Sequence, residues 1–114
     1  RRTASGFSER FRPEERMKID FVGRHLHVEE ATRTLAAEKL GKIVRYLHEP
    51  VEAHIVLEAG KHRHMAEVQL RGGRKEFVAK EEAITLHDAL ELAVEKVEEQ
   101  AKRAHEKDVQ AKRR

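Results

Sequence analysis

The chain has 114 residues, of which 39% are hydrophobic, 39% are charged and 4% are aromatic. This length is typical of one domain with a modest core, and the charged fraction is high for a globular protein. The absence of Cys excludes disulfides and thiolate chemistry. No apolar run reaches the roughly 18 residues of a membrane-spanning helix. The net charge is only +3 because 24 basic residues face 21 acidic ones, so electrostatic function depends on where the charges lie.

The first 16 residues contain five Arg, three Glu and no apolar periodicity, so we predict a disordered leader that ends before Met17. The leader is either a tag or a natural extension, and it lacks the apolar region of a secretory signal. Two interpretations stay open: a tail without function, or an additional arm that contacts RNA.

Alternation of apolar and polar residues predicts four strands. They are expected at residues 18–22, 51–58, 64–71 and 75–80. Gly72 and Gly73 predict a tight hairpin between the third and fourth strands.

Apolar residues at helical spacing predict two helices, over 29–47 and from 86 to about 107. Pro50 prevents the first helix from continuing. Thr85 and Asp88 have the spacing of a capping box at the start of the second.

These elements predict an α+β domain of order β-α-β-β-β-α, with a four-stranded mixed sheet. A right-handed crossover places the first helix on the sheet, and hairpins make the last three strands antiparallel. Both helices are expected on one face because only one face of the sheet is apolar. We predict a leader at 1–16, a folded domain at 17–107 and a basic tail at 108–114.

Basic residues concentrate on the predicted helices. Lys39, Lys42 and Arg45 form a stripe on the first helix, with Arg33 nearer its edge. The second helix has five acidic residues against one basic residue over 86–101, whereas 102–114 have six basic residues against two acidic ones. Two such surfaces on neighbouring helices suit a phosphate backbone, although a charged face can also serve only to keep a helix solvated.

The hairpin tip is also basic, because Arg71, Arg74 and Lys75 flank the two glycines. These side chains either contact phosphate or simply keep the hairpin soluble. His62 and His64 would project from one face of a strand, but a zinc site needs three or four ligands and nothing in the sequence fixes a third. Because no nucleophile motif or phosphate-binding loop is present either, we predict no enzymatic activity, metal, cofactor or small-molecule substrate.

Residues 18–107 resemble the short ribosome hibernation-promoting factors, also called ribosome-associated inhibitors of translation. Four stretches carry the resemblance: KIDFVGR, ATRTLAAEKLGKIVRYL, LRGGRKEFVAKEE and ALELAVEKVEEQAKRAHEK. The matching residues of the two helices are Arg33, Lys39, Lys42, Tyr46, Lys96, Gln100, Lys102, Arg103 and Lys107.

The resemblance implies a fold similar to double-stranded RNA-binding domains. It also implies docking in the small-subunit channel for mRNA and tRNA, which keeps ribosomes inactive in stationary phase or stress. We therefore predict a cytoplasmic protein, monomeric when free and without membrane contact, whose partners are the small subunit and its rRNA. The predicted rRNA-binding residues are Arg24, Arg33, Lys39, Lys42, Arg45, Arg71, Arg74, Lys75, Lys96, Lys102, Arg103, His105 and Lys107.

The sequence departs from the family pattern at four places. Thr85-Leu86-His87 replaces Asp-Met-Tyr, Glu29 replaces Thr, and Ala104 and His105 replace more basic residues. The extra C-terminal dimerisation domain of the long family form is not present, so we expect either a natural short form or a truncated long form.

Two other functions stay open from the sequence. One is a protein-binding regulator of the sigma-factor modulator type, using the open sheet face or His54 and Val56. The other is a general duplex-RNA-binding protein.

Overall fold

The computed structural model describes residues 17–112, so the predicted leader lies outside the described residues. The strands are β1 (Met17–Arg24), β2 (Val51–Ala59), β3 (His64–Gly72) and β4 (Lys75–Ala83). The helices are α1 (Glu30–Gly41) and α2 (Leu86–Lys112), and a 3₁₀ turn covers Val44–Tyr46. The element order confirms the predicted β-α-β-β-β-α arrangement.

The sheet has the order β1-β2-β3-β4, with β1 and β2 parallel and the other neighbours antiparallel. Every second residue points to the helices, and the largest fully buried side chains include Ile55 and Leu57 of β2 and Val68 and Leu70 of β3. Residues of α1 and α2 belong to the same hydrophobic cluster. The prediction of two helices on one face of a mixed sheet is therefore confirmed.

The opposite face of the sheet carries no helix and is mostly charged. Val56 and Met65 point to this face, yet they are only 6% and 9% exposed. The cross-strand neighbour of Val56 is Glu67 of β3, and that of Met65 is Glu58 of β2; both are long side chains whose stems can cover apolar atoms. Val56 therefore offers a partner protein little accessible surface.

The prediction that the first helix runs to 47 was wrong, because α1 ends at Gly41. Beyond it, the amide of Ile43 bonds the carbonyl of Leu40 at 2.9 Å, which is the tighter spacing of a 3₁₀ turn. Gly41 weakens the helix, and the β-branched Ile43 and Val44 are buried in the core from the turn. Lys42 and Arg45 thus stand beyond the helix, on a differently wound segment.

The second helix is longer than predicted, since α2 continues to Lys112 and residues 108–112 are helical. Asp108 accepts a hydrogen bond from Lys75 at 2.8 Å, which ties this last part of α2 to the start of β4. At the other end, Thr85 Oγ1 accepts a hydrogen bond from the Asp88 amide at 3.1 Å, so the predicted cap is present.

The β3–β4 hairpin packs against the chain that follows α1. Gly73 has a φ of 61°, which a residue without Cβ adopts readily. A Cβ on Gly72 would lie 2.8 Å from that of Leu47, so glycine permits this close approach. The hairpin tip is therefore held at the end of the molecule where α1 and its 3₁₀ turn finish.

Contacts between the helices follow one another in the same chain direction. Thr32 lies 3.4 Å from His87, Lys39 pairs with Glu91, and the Tyr46 ring meets His105. The two helices are therefore parallel, and both finish beside the β3–β4 hairpin. We call this region, formed by the 3₁₀ turn, the hairpin and residues 102–112 of α2, the basic end.

Neither helix in the described part of the chain combines the length and apolar character that crossing a bilayer requires.

Candidate nucleic-acid interface

Five predicted residues belong either to the segment 39–45 or to the side of α2 that faces α1, and we call them the interhelix group. Its members are Lys39, Lys42, Arg45, Lys102 and His105. Lys102 belongs here because it lies eleven residues after Glu91, about 20° around the helix, and Glu91 faces α1. All except the half-buried Lys39 are exposed.

Lys39 is not fully available to a ligand. Its Nζ lies 3.3 Å from Glu91 Oε2, and the two side chains are 34% and 44% exposed. A pair this open to solvent contributes about 0–1 kcal/mol to stability. RNA phosphate can therefore compete with Glu91 for Lys39 at little energetic cost.

Tyr46 connects the two sides of the interhelix group. The Arg45 carbon Cζ lies 4.9 Å from the centre of the Tyr46 ring, and Arg45 Nη2 donates to Tyr46 Oη at 2.9 Å. The His105 ring approaches from α2 with 5.6 Å between ring centres and a 55° tilt. One ring thus holds a cation from the 3₁₀ turn beside an imidazole from α2.

Three other basic residues form a separate line on α2, which we call the outer stripe. Lys96, Arg103 and Lys107 recur at seven and eleven residues, within about 20° of one line along the helix. Gln100 on the same side donates to the Val78 carbonyl at 3.1 Å, so this side of α2 faces the β4 edge.

An acidic ridge divides the outer stripe from the interhelix group. Glu95, Glu99 and Glu106 are exposed and lie about 20 to 60° beyond Lys102 toward Arg103 on the helix surface. The basic residues of α2 therefore form two tracks with negative charge between them, where the sequence indicated one patch.

The hairpin adds to the basic end. Arg74 is exposed at the tip, and Lys75 pairs with Asp108 at 2.8 Å between half-exposed side chains. His48 also lies here, with its Cβ 3.1 Å from the position of a Cβ on Gly73.

The remaining three predicted residues lie elsewhere. Arg24 ends β1, in register with Glu58 and at the opposite end of the molecule from the hairpin. Arg71 lies on the open sheet face, 3.7 Å from Glu76. Arg33 stands on the β1 side of α1, with Cζ 5.1 Å from the Phe21 ring centre.

Sequence reasoning did not include Tyr46 among the site residues, although it matches the family pattern. The adjacent Arg-Tyr pair was a signal for a cation–π contact, but nothing in the sequence indicated that His105, 59 positions away, would join it. The histidine at position 87 is likewise seen only in the structure to contact α1, through Thr32.

Within the described residues, no group of three or more potential ligands is placed to hold a metal ion. His64 Nδ1 instead donates a hydrogen bond to the Ile84 carbonyl at 3.0 Å.

A four-stranded mixed sheet under two parallel helices also defines known domains. The chain shares 31% identity and a TM-score of 0.71 with the crystal structure of the Thermus thermophilus Protein Y N-terminal domain, covering 76% of this chain and 98% of that one. A ribosomal subunit interface protein from Coxiella burnetii has the same fold, with 18% identity and a TM-score of 0.66 over 77% of this chain and 97% of that one. Comparison with curated protein sequences gives no significant match.

The sequence matches a family model described as "Sigma 54 modulation protein / S30EA ribosomal protein" over residues 19–109. Since this match spans most of the chain, the protein belongs to that family.

Proposed function

We propose that this protein binds the small ribosomal subunit in the channel that mRNA and tRNA otherwise occupy, and so holds ribosomes inactive in stationary phase or stress. Inhibition is steric, so it requires no reaction and no cofactor. The protein acts in the cytoplasm, where its ligand is rRNA.

The observation that carries the proposal is the basic end. Interhelix residues from the 3₁₀ turn and from α2 meet at Tyr46, the hairpin adds Arg74, and most of these cations are exposed. Lys and Arg in such a group gain binding free energy by displacing counterions from phosphates. Membership of a family whose description names a ribosomal protein supports the ribosome as the source of those phosphates.

Co-sedimentation with ribosomes tests the proposal. Charge reversal to Glu at Lys39, Lys42, Lys102 and Arg103 is expected to abolish co-sedimentation at moderate salt, because it replaces attraction to phosphate by repulsion. The matched control reverses four exposed basic residues outside the interhelix group and the outer stripe: Lys18 and Lys80 on the open sheet face, and Lys61 and Arg63 between β2 and β3. Binding that survives the first set, or is lost equally with both sets, would contradict the proposed interface.

Sucrose-gradient profiles with and without the protein measure binding and subunit state, and the initiator tRNA retained in the ribosome peak tests the position of binding. If the protein occupies the mRNA and tRNA channel, the bound ribosomes should no longer accept initiator tRNA. Tight binding to arbitrary duplex RNA without preference for ribosomes would instead support the general duplex-RNA binder.

The sigma-factor type of regulator remains the hypothesis from another class, and the family's description includes it. A stoichiometric protein partner recovered from a ribosome-free extract would favour that function. The low exposure of Val56 leaves His54 and the surrounding charged side chains as the contact surface that such a partner would find.

A further inference from the structure

The Arg45–Tyr46–His105 cluster has features that phosphate binding alone does not need. A phosphate contact requires a cation with donors, whereas this cluster places a planar guanidinium over an aromatic ring, 4.9 Å from its centre, with a tilted imidazole beside it. We infer that the cluster is a stacking site for an unpaired nucleobase of the bound RNA. This inference rests on the proposed function, since it assigns a base-binding role to part of the same surface.

Tyr46 is held in a fixed position, whereas the two side chains beside it are accessible to a ligand. Tyr46 is half-buried and packs against the hydrophobic core, which fixes the position of its ring. Its hydroxyl and its ring both hold Arg45, which limits the rotation of the guanidinium. Arg45 and His105 are themselves exposed, so a nucleobase can reach both side chains from solvent.

Unpaired RNA bases stack on aromatic rings and on Arg guanidinium planes, and such stacking tolerates any base because every base has a π-face. Paired bases in an A-form duplex are not available for this contact. The cluster lies within the interhelix group, whose Lys42 and Lys102 can hold the flanking phosphates. The chemistry therefore favours a single-stranded or bulged segment over a continuous duplex.

Replacing Arg45 by Lys separates stacking from charge. The Arg45→Lys variant keeps the positive charge for phosphate but loses the planar group. The matched control is Arg63→Lys, the same change at an exposed position between β2 and β3, where the described residues show no aromatic ring against the guanidinium. His105→Gln removes the second planar face, and Tyr46 is left unchanged because its ring packs on the core.

Fluorescence anisotropy with the full chain would measure binding to a short single-stranded oligoribonucleotide and to the same sequence annealed to its complement. We expect Arg45→Lys to lower affinity for the single strand about tenfold, or roughly 1.4 kcal/mol, and for the duplex by less than about twofold. His105→Gln should show the same preference with a smaller loss, and Arg63→Lys should match the wild type on both probes.

Equal affinities of Arg45→Lys and wild type for the single strand would overturn the stacking site. Equal losses of affinity on both probes would overturn it as well, and so would a wild type that binds neither probe. Ribosome co-sedimentation of the wild type, measured separately, distinguishes this failure from failure of the proposed function. A wild type that discriminates the probes but does not co-sediment would overturn the ribosomal role and leave the stacking site standing.

Discussion

At the scale of single residues, an acidic partner reduces the availability of a basic side chain for phosphate. Among the described residues, Lys39 is the one member of the interhelix group with a carboxylate partner, at 3.3 Å from Glu91. The pair spans the groove between the helices, so a phosphate that binds Lys39 must displace the Glu91 carboxylate. Removing the carboxylate should therefore strengthen binding while costing little stability.

We predict that Glu91→Gln raises affinity for ribosomes about two- to fivefold at low salt, because one more cation can contact phosphate. The slope of log affinity against log salt should steepen by roughly 0.7 to 0.9. Titration of the variant against ribosomes at several salt concentrations would measure both quantities, and the unfolding free energy should change by less than about 1 kcal/mol.

Glu95→Gln is the matched control, because Glu95 is exposed one turn further along α2 and shows no ion pair in the part of the chain that the structure describes. It removes the same charge without releasing Lys39. An equal gain from both variants would mean that only net charge matters, and the Lys39–Glu91 contact would have no specific role.

At the scale of elements, the start of α2 fixes where its basic half is presented. Thr85 Oγ1 accepts the Asp88 amide hydrogen bond at 3.1 Å, which satisfies one of the four amides that a helix start leaves without an intrahelical partner. The same helix crosses the sheet and reaches the basic end, so loss of its N-terminal cap destabilises the element that carries the basic residues of 102–112.

We predict that Thr85→Ala lowers the unfolding free energy by about 1 kcal/mol, through loss of this cap. Thermal unfolding should show a fall in Tm of about 5 °C. The control is Thr34→Ala, an exposed position inside α1, where Ala has the higher helix propensity and stability should be kept or slightly raised. A Tm of Thr85→Ala equal to that of the wild type would contradict the capping role.

The sequence was sufficient to predict elements whose pattern is local. The period-two alternation from Val51 to Leu57 predicted β2 and its buried face, and the Gly72-Gly73 pair predicted the hairpin. The end of α1 could not be predicted in this way, because Ile43 and Val44 continue the apolar stripe of a helix. They reach the core from a 3₁₀ turn instead. Just after this turn, Leu47 packs against Gly72 of the hairpin, a contact that the local sequence pattern does not indicate.

The candidate site was only partly predictable for the same reason. Basic residues were found from their spacing, but their partners depend on contacts between distant segments. Glu91 beside Lys39 and His105 beside Tyr46 are such contacts. The acidic ridge of α2 was visible only once the face toward α1 was known.

At the scale of the whole molecule, charge is sorted by end and by face. The open face of the sheet has six acidic residues and four basic ones, so it does not attract phosphate as the basic end does. A net acidic sheet face and a basic end on one small domain favour approach to RNA with the basic end first.

We predict that probes at opposite ends of the molecule report this orientation. The chain has no Cys, so single substitutions such as Gln110→Cys near the end of α2 and His62→Cys between β2 and β3 can each carry one photo-crosslinker. In the ribosome complex, the label at 110 should crosslink to rRNA and the label at 62 should give little product, as measured by primer extension. Efficient crosslinking from position 62 alone would reverse the proposed orientation.

The uneven charge along α2 has a consequence for how quickly the complex forms. Five acidic residues and one basic residue occupy 86–101, while the remainder of the helix is mainly cationic, so this element carries a large permanent dipole moment. In the field of an anionic particle such a body experiences a torque that turns its cationic pole inward before collision. Productive encounters are then a larger share of all encounters, and this advantage fades as the Debye length shrinks with added electrolyte.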